Sequence, residues 1–209
     1  MAGPGAVRGS DTRADAAGVK PPRDTRARIL AAAVRLFQRG GYAGTGINDV
    51  IAASGAPRGS LYHHFPGGKP QLAAEAIAFL AAQVAGLIDR RVEDGVAPGD
   101  ILRQIAEAMG GWLTQSDWRE GCLISVIAQE TGPEDALIHQ AVLAAYADWS
   151  ARLIPALQAA GHDAEAAAAR ADLAIAALEG GLILARVRRS VEPLRNAARL
   201  AASTMMRTA

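Results

Sequence analysis

The chain has 209 residues, half of them hydrophobic and only 4% aromatic, a length for one large domain or two small ones and a composition that favours closely packed helices over sheets. The single cysteine, Cys122, excludes an intramolecular disulfide framework and fits a reducing cytosol. The net charge of +1 is unevenly spread, with eight Lys or Arg against two Asp in residues 20–70 and twelve against seventeen acidic residues in 71–209, so a basic N-terminal third sits on an acidic body, as in proteins with a nucleic-acid-binding head.

Residues 1–22 are rich in Gly, Pro and Ala with mixed charge and no periodicity, which predicts a disordered N-terminal arm. There is no signal-peptide core and no run approaching about 18 uninterrupted apolar residues, so the expectation is a soluble, cytoplasmic protein with no membrane partner. Asp24 or Thr25 caps the first predicted helix, which places Ile29, Ala33, Leu36 and Phe37 on one face and stops at Gly40-Gly41. Tyr42 then closes the small core.

The informative stretch is Thr45 to Lys69. Thr45 is a hydroxyl N-cap candidate, and Ile47, Val50 and Ile51 share a helical face. Gly55 is free to take the positive φ that ends a helix, and Pro57 suits the first turn of the next one. Leu61 and Phe65 point inward from that second helix. Arg58, Ser60, Tyr62 and His63 are left outside, a guanidinium, a hydroxyl, a phenol and an imidazole, the chemistry of phosphate and base-edge contact. Two short helices and a tight turn imply a helix-turn-helix whose second helix reads DNA.

Tyr62-His63-His64-Phe65 followed closely by a lysine, after Ile47-x-x-Val50-Ile51 and Gly55, resembles the DNA-binding domain of TetR-family transcriptional repressors. The form Phe65-Pro-Gly-Gly-Lys69 is closer still to the LmrA-like multidrug regulators, with one residue more between Phe and Lys than the commoner family form. The motif spans roughly Thr25 to Leu72. The resemblance implies an all-α fold in which an N-terminal three-helix helix-turn-helix DNA-binding domain (23–69) precedes a C-terminal helical ligand-binding and dimerisation domain (70–209). Arg58 is the candidate for a bidentate guanine contact, with Gly59 and Ser60 on the same approach. Tyr62 and His64 resemble the family's phosphate-contacting positions, and His63 reaches either base or backbone. Thr45 resembles the phosphate-contacting helix start, a role compatible with N-capping, and for His64 a hydrogen bond that stiffens the helix end is the other reading. Lys69 is expected over phosphate at the start of the next helix.

From Pro70 to about Arg91, Leu72, Ala76, Phe79, Leu80, Val84 and Leu87 keep helical spacing in a helix that links head and body. Ile101 to Leu113 is a further helix. The apolar run Gly121 to Ala128 admits a buried strand, but Gly-Cys opening a short helix that ends at Glu130 resembles the LmrA-like branch, and a buried helix is preferred. Pro133 begins a long helix with Ile138, Val142, Tyr146, Trp149, Leu153 and Leu157. Asp163 caps the next, which carries Leu173, Leu178, Leu182, Leu184 and Val187. Ser190 caps the last, with Leu194, Leu200 and Met205 inward. Gly180 and Gly181 each cost a helix about 1 kcal/mol relative to alanine, which calls for close approach of another helix or a kink. In the family the last two helices form the homodimer interface, so Gly180, Gly181, Leu184 and Leu194 are the candidate interface residues.

No catalytic constellation and no metal or cofactor site is expected. Asp135 and His139 lack further ligands, His162 reads as a surface or capping residue, and Cys122 has no basic neighbour to activate it. Trp112, Trp118, Tyr146 and Trp149, with Cys122, Ser125 and Gln129 as polar groups, are the candidate lining of a ligand pocket, although ordinary core packing accounts for any one of them. The resulting expectation is a non-enzymatic homodimer that binds a palindromic DNA operator as a repressor and is released by a small apolar inducer, planar aromatic among the options. The competing class is a ligand-binding or enzymatic helical bundle with an incidental basic head. An activator or architectural factor is the remaining alternative.

Overall fold

The computed structural model describes residues 24–206, and the predicted arm at 1–22 lies outside them. The described residues form nine α-helices with no strand: α1 Thr25–Gly40, α2 Ile47–Ser54, α3 Ser60–His64, α4 Gly68–Glu93, α5 Pro98–Gln115, α6 Leu123–Glu130, α7 Ala136–Ala159, α8 Ala164–Arg188 and α9 Glu192–Thr204. The all-α fold follows the expectation.

Helix α1 begins where Asp24 accepts the Arg26 backbone N–H at 3.1 Å and ends at Gly41, whose φ of 71° favours glycine. Its buried face is Ile29, Ala32, Ala33 and Phe37, and the helix packs on α2 and α4. Val50 and Ile51 of α2, Leu61 of α3 and the capping Phe65 complete this small core. Gly55 takes the left-handed conformation, φ 62°, and ends α2. Its carbonyl accepts the Arg28 guanidinium at 3.0 Å, so α1 fastens the turn between α2 and α3 directly.

Two expectations at this end need correction. The N-cap of α2 is Gly46, not Thr45. Thr45 is only 4% exposed, and its hydroxyl donates to the Gly41 carbonyl at 2.7 Å, bridging the end of α1 to the start of α2. The second helix also starts later than expected. Pro57, Arg58 and Gly59 form a turn closed by the Ser60 N–H on the Pro57 carbonyl at 2.9 Å, and the helix proper begins at Ser60.

Helix α4 is long and apolar enough, by length and composition alone, to cross a membrane, but Leu72, Ala73, Ala76, Ile77, Leu80, Ala81, Ala85 and Ile88 are buried inside the protein. It lies along α7, while α9 packs on α8 and α5. Phe79, one of the residues at helical spacing, is exposed on α4. The run from Leu123 to Glu130 is a helix, as preferred, with Leu123, Ile124 and Ile127 buried. Helix α7 begins at Ala136 after a turn, not at Pro133. Asp163 caps α8, accepting the Ala166 N–H at 2.8 Å. Ser190 stands one residue before the N-cap of α9, with its hydroxyl accepting the Glu192 N–H at 3.3 Å.

Leu200, expected inward, is exposed, and so are Leu173, Leu184 and Val187 of α8. The periodicity identified apolar positions but not which apolar stripe meets the rest of the chain. Gly181 is likewise an intramolecular device: a Cβ there would stand 2.9 Å from the Leu194 Cα, so the close approach is between α8 and α9 of one chain. Leu194 is fully buried by that approach. Neither residue is available to a partner subunit, whereas Gly180 and Leu184 are exposed.

Candidate nucleic-acid interface and body cavity

The turn at Pro57–Gly59 and helix α3 form the outward edge of the N-terminal core. Buried Leu61 and Phe65 fix one side of α3, which leaves Arg58, Gly59, Tyr62 and His63 exposed and Ser60 and His64 half-buried. Tyr62 is 59% exposed, which leaves its phenol open to a partner outside the chain. The His63 and His64 rings meet edge-on at 5.0 Å between centroids. Neither imidazole hydrogen-bonds to another described residue, so the helix-stiffening reading of His64 lacks a partner. Arg58 also pairs with no described carboxylate. By contrast Arg26 pairs with Glu75 and lies over the Phe65 ring, 4.9 Å from its centroid.

Lys69 lies in the first turn of α4, its Nζ 4.4 Å from the Tyr42 ring centroid. The stack holds the ammonium against the Tyr42 ring, and the residue as a whole is half-buried. Thr45 does not join this group. Its hydroxyl proton is used on Gly41, and the free N–H of Gly46 meets the Asp49 carboxylate at 3.1 Å. The start of α2 is therefore already occupied by an anion of the chain's own.

The second feature is a cavity of about 80 Å³ in the body. Leu80, Val84 and Ile88 of α4, Leu102, Ile105 and Met109 of α5, and Trp149 of α7 make it apolar. Of the seven residues expected to line a pocket, the structure brings Trp112, Cys122 and Trp149 together there. Trp118, Ser125, Gln129 and Tyr146 are not in the lining. Trp118 sits in a left-handed turn, φ 62°, and packs on the core from outside. Gln129 is exposed and turns back to the Ser125 carbonyl at 2.9 Å. Tyr146 lies one layer behind, edge-on to Trp149 at 5.6 Å.

Sequence reading missed Glu179, a lining residue from α8. Its Oε2 is buried without a hydrogen-bond partner. Burial holds its carboxyl above the ordinary range, partly offset by the Cys122 thiol and Ser125 hydroxyl. Burial first, then the Glu179 carboxylate, pushes both the Cys122 thiol and the Tyr146 phenol up. An unreactive thiol is the result, which opposes a redox role for Cys122. A lone acid amid leucines gives no periodic signal; only its place one residue before two glycines set it apart.

Cavity and head share a wall. Gln38 of α1 and the segment Glu120–Cys122 both line the cavity. That segment holds the end of α1 through the Gly121 N–H on the Gln38 carbonyl at 3.2 Å and through Arg39 on Glu120 at 2.9 Å. A little further on, Glu130 of α6 accepts the Ala43 N–H at 2.8 Å.

Comparison with known proteins agrees with this layout. Residues 29–76 match the family described as bacterial regulatory proteins, tetR family, and residues 98–200 match the transcriptional regulator LmrA/YxaF-like C-terminal domain. The chain is 34% identical to the HTH-type transcriptional regulator LmrA of Bacillus subtilis over 171 residues, 82% of this chain and 91% of that one. It is 30% identical to YxaF of the same organism, covering 82% and 90%. Among solved structures, a TetR transcriptional regulator from Legionella pneumophila superposes with a TM-score of 0.78 at 23% identity, covering 88% of this chain and 99% of that one. With a basic helix-turn-helix at one end and a matching helical body at the other, the chain belongs to the TetR family, in its LmrA/YxaF-like branch, and is a transcriptional regulator.

Proposed function

We propose that the protein is a cytoplasmic repressor that binds a palindromic operator as a homodimer and leaves it when a small apolar molecule enters the body cavity. The head comprises 23–69 and the body 70–209. The observation that carries the reading is the unpaired, exposed row of Arg58, Tyr62 and His63 on a basic helix-turn-helix, with Lys69 held against Tyr42. Arg58 takes a base edge, Gly59 and Ser60 let the backbone approach, and Tyr62, His63, His64 and Lys69 meet phosphate or neighbouring bases.

The exposed apolar stripe of α8, Leu173, Gly180, Ile183, Leu184 and Val187, with Leu200 of α9, supplies a subunit interface. Val187 is 76% exposed, and exposed apolar side chains grouped along one helix favour association. Two heads then meet half-sites about one turn apart, ~34 Å, or a simple multiple of it.

Release follows from the shared wall. A ligand that displaces the segment Glu120–Cys122 or tilts α4 moves the end of α1 and hence the head. It releases DNA only insofar as it binds the displaced arrangement better than the DNA-bound one. The test is selection of bound duplexes from a random pool, followed by anisotropy titrations across a range of salt. Recovery of a two-fold symmetric site with a steep salt dependence is the expected result. Failure to retain any duplex refutes the reading.

A further inference from the structure

We infer that the body cavity takes a lipophilic amine, whose protonated nitrogen meets the Glu179 carboxylate while its apolar frame lies against the tryptophans. The inference rests on the reading of the cavity as a ligand site and specifies the ligand's chemistry.

Among the residues lining the cavity, the charged ones are Glu120 and Glu179; no lysine, arginine or histidine is in the lining. Glu120 is committed to Arg39 at 2.9 Å. Glu179 is not committed to a cation. The Arg186 guanidinium passes Gly121, coming within 3.5 Å of where a Cβ would stand there, yet it forms no ion pair with Glu179. Oε2 of Glu179 is thus a buried acceptor with nothing to accept from, and a buried acceptor without a donor is unfavourable unless something else completes it.

The rest of the wall fits a cation and opposes an anion. Trp149 has its indole N–H engaged with the Ala81 carbonyl at 3.0 Å, so it offers the cavity only its ring. Trp112, lining the cavity while nearly half exposed, stands at its mouth. Indole rings lining the same cavity as a carboxylate without a cationic partner suit an alkylammonium through cation–π attraction and a charge-assisted hydrogen bond. A carboxylate or phosphate ligand would meet like charge with no cation in the lining to offset it. A pure hydrocarbon would leave Oε2 as it is.

Three probes of one shape test this on the full-length protein by calorimetric titration: 2-naphthylmethylamine, 2-methylnaphthalene and 2-naphthoate. The amine is expected to bind about tenfold or more tightly than the hydrocarbon, and 2-naphthoate weakest. Glu179→Gln, which keeps the side-chain volume, should reduce the amine's advantage to about threefold or less, with thermal melting confirming the fold. Equal binding of amine and hydrocarbon, no binding of the amine, preference for 2-naphthoate, or an advantage that survives Glu179→Gln overturns the inference. The release reading is scored separately on operator DNA. Amine that binds through Glu179 without freeing DNA supports the ligand class and refutes release. Hydrocarbon that frees DNA as well as the amine does supports release and refutes the class.

Discussion

Gly180 and Gly181 are neighbours on α8, about 100° apart around its axis, and alanine should have different consequences at the two positions. At either site alanine gains about 1 kcal/mol of helix propensity over glycine. At Gly180 an added Cβ meets nothing within 4 Å. At Gly181 it stands 2.9 Å from the Leu194 Cα and 3.2 Å from the Ala197 Cβ. The first of these is backbone, so α9 itself has to move, and overpacking of this kind costs about 1–3 kcal/mol. The propensity gain is common to both variants and cancels between them, so their stability difference isolates the steric term. For a chain of this size each kcal/mol is worth about 2–4 °C, which places Gly181→Ala roughly 2–12 °C below Gly180→Ala. Calorimetric melts at several protein concentrations separate this effect from weakened association, because a clash inside one chain does not depend on concentration. Melting of the two variants together, or of Gly181→Ala above Gly180→Ala, would refute the close approach of α8 and α9 as the reason for that glycine.

The remaining expectations concern the head and the buried acid. Arg58→Ala should relax base preference at one position per half-site, losing about 1–3 kcal/mol of discrimination; an unchanged preference profile removes Arg58 from base readout. Lys69→Ala should weaken all duplexes alike and reduce the salt slope by about 1, and an unaltered slope argues against phosphate contact. Glu179→Gln should stabilise the fold near neutral pH by about 1.4 kcal/mol for each unit by which burial raises the carboxyl, because it removes the buried charge while keeping the side-chain volume. Since burial raises the folded carboxyl above its ordinary 4.5, the native state holds that proton more tightly than the unfolded chain does. Its ionisation therefore detracts from stability as pH rises from about 4.5 through the raised value. The advantage of Glu179→Gln should accordingly vanish in acid; a gain that is constant across pH contradicts the buried-acid assignment.

Local chemistry made the head legible. Gly41 and Gly55 announce helix ends by the positive φ each adopts, and the spacing of Leu61 and Phe65 shows which side of α3 is buried. What was misread depended on partners distant in sequence. Thr45 has the right chemistry for an N-cap, but a neighbouring carbonyl captured its hydroxyl, and Gly46 took the cap position. Leu200 is as hydrophobic as Leu182 and Leu194, yet it is exposed. Only the crossing of α8 and α9 decides which leucines are covered within the chain. Four of the seven expected pocket residues fall elsewhere for the same reason: aromatic content marks a region, whereas a cavity is made by the angles between helices. Glu179 was invisible because one acid amid apolar residues looks like a solvated face until its surroundings are known.

Gly41 has a second duty besides ending α1. A side chain there would occupy the space of the Glu130 carboxylate, with a Cβ only 1.9 Å from Oε1, and that carboxylate is the group that accepts the Ala43 N–H. The bare residue that terminates the first helix is therefore also the socket into which the body plugs. A hybrid protein that grafts a foreign reading head onto this body with a side chain at that spot turns the Glu130 carboxylate aside and gives up its hold on Ala43.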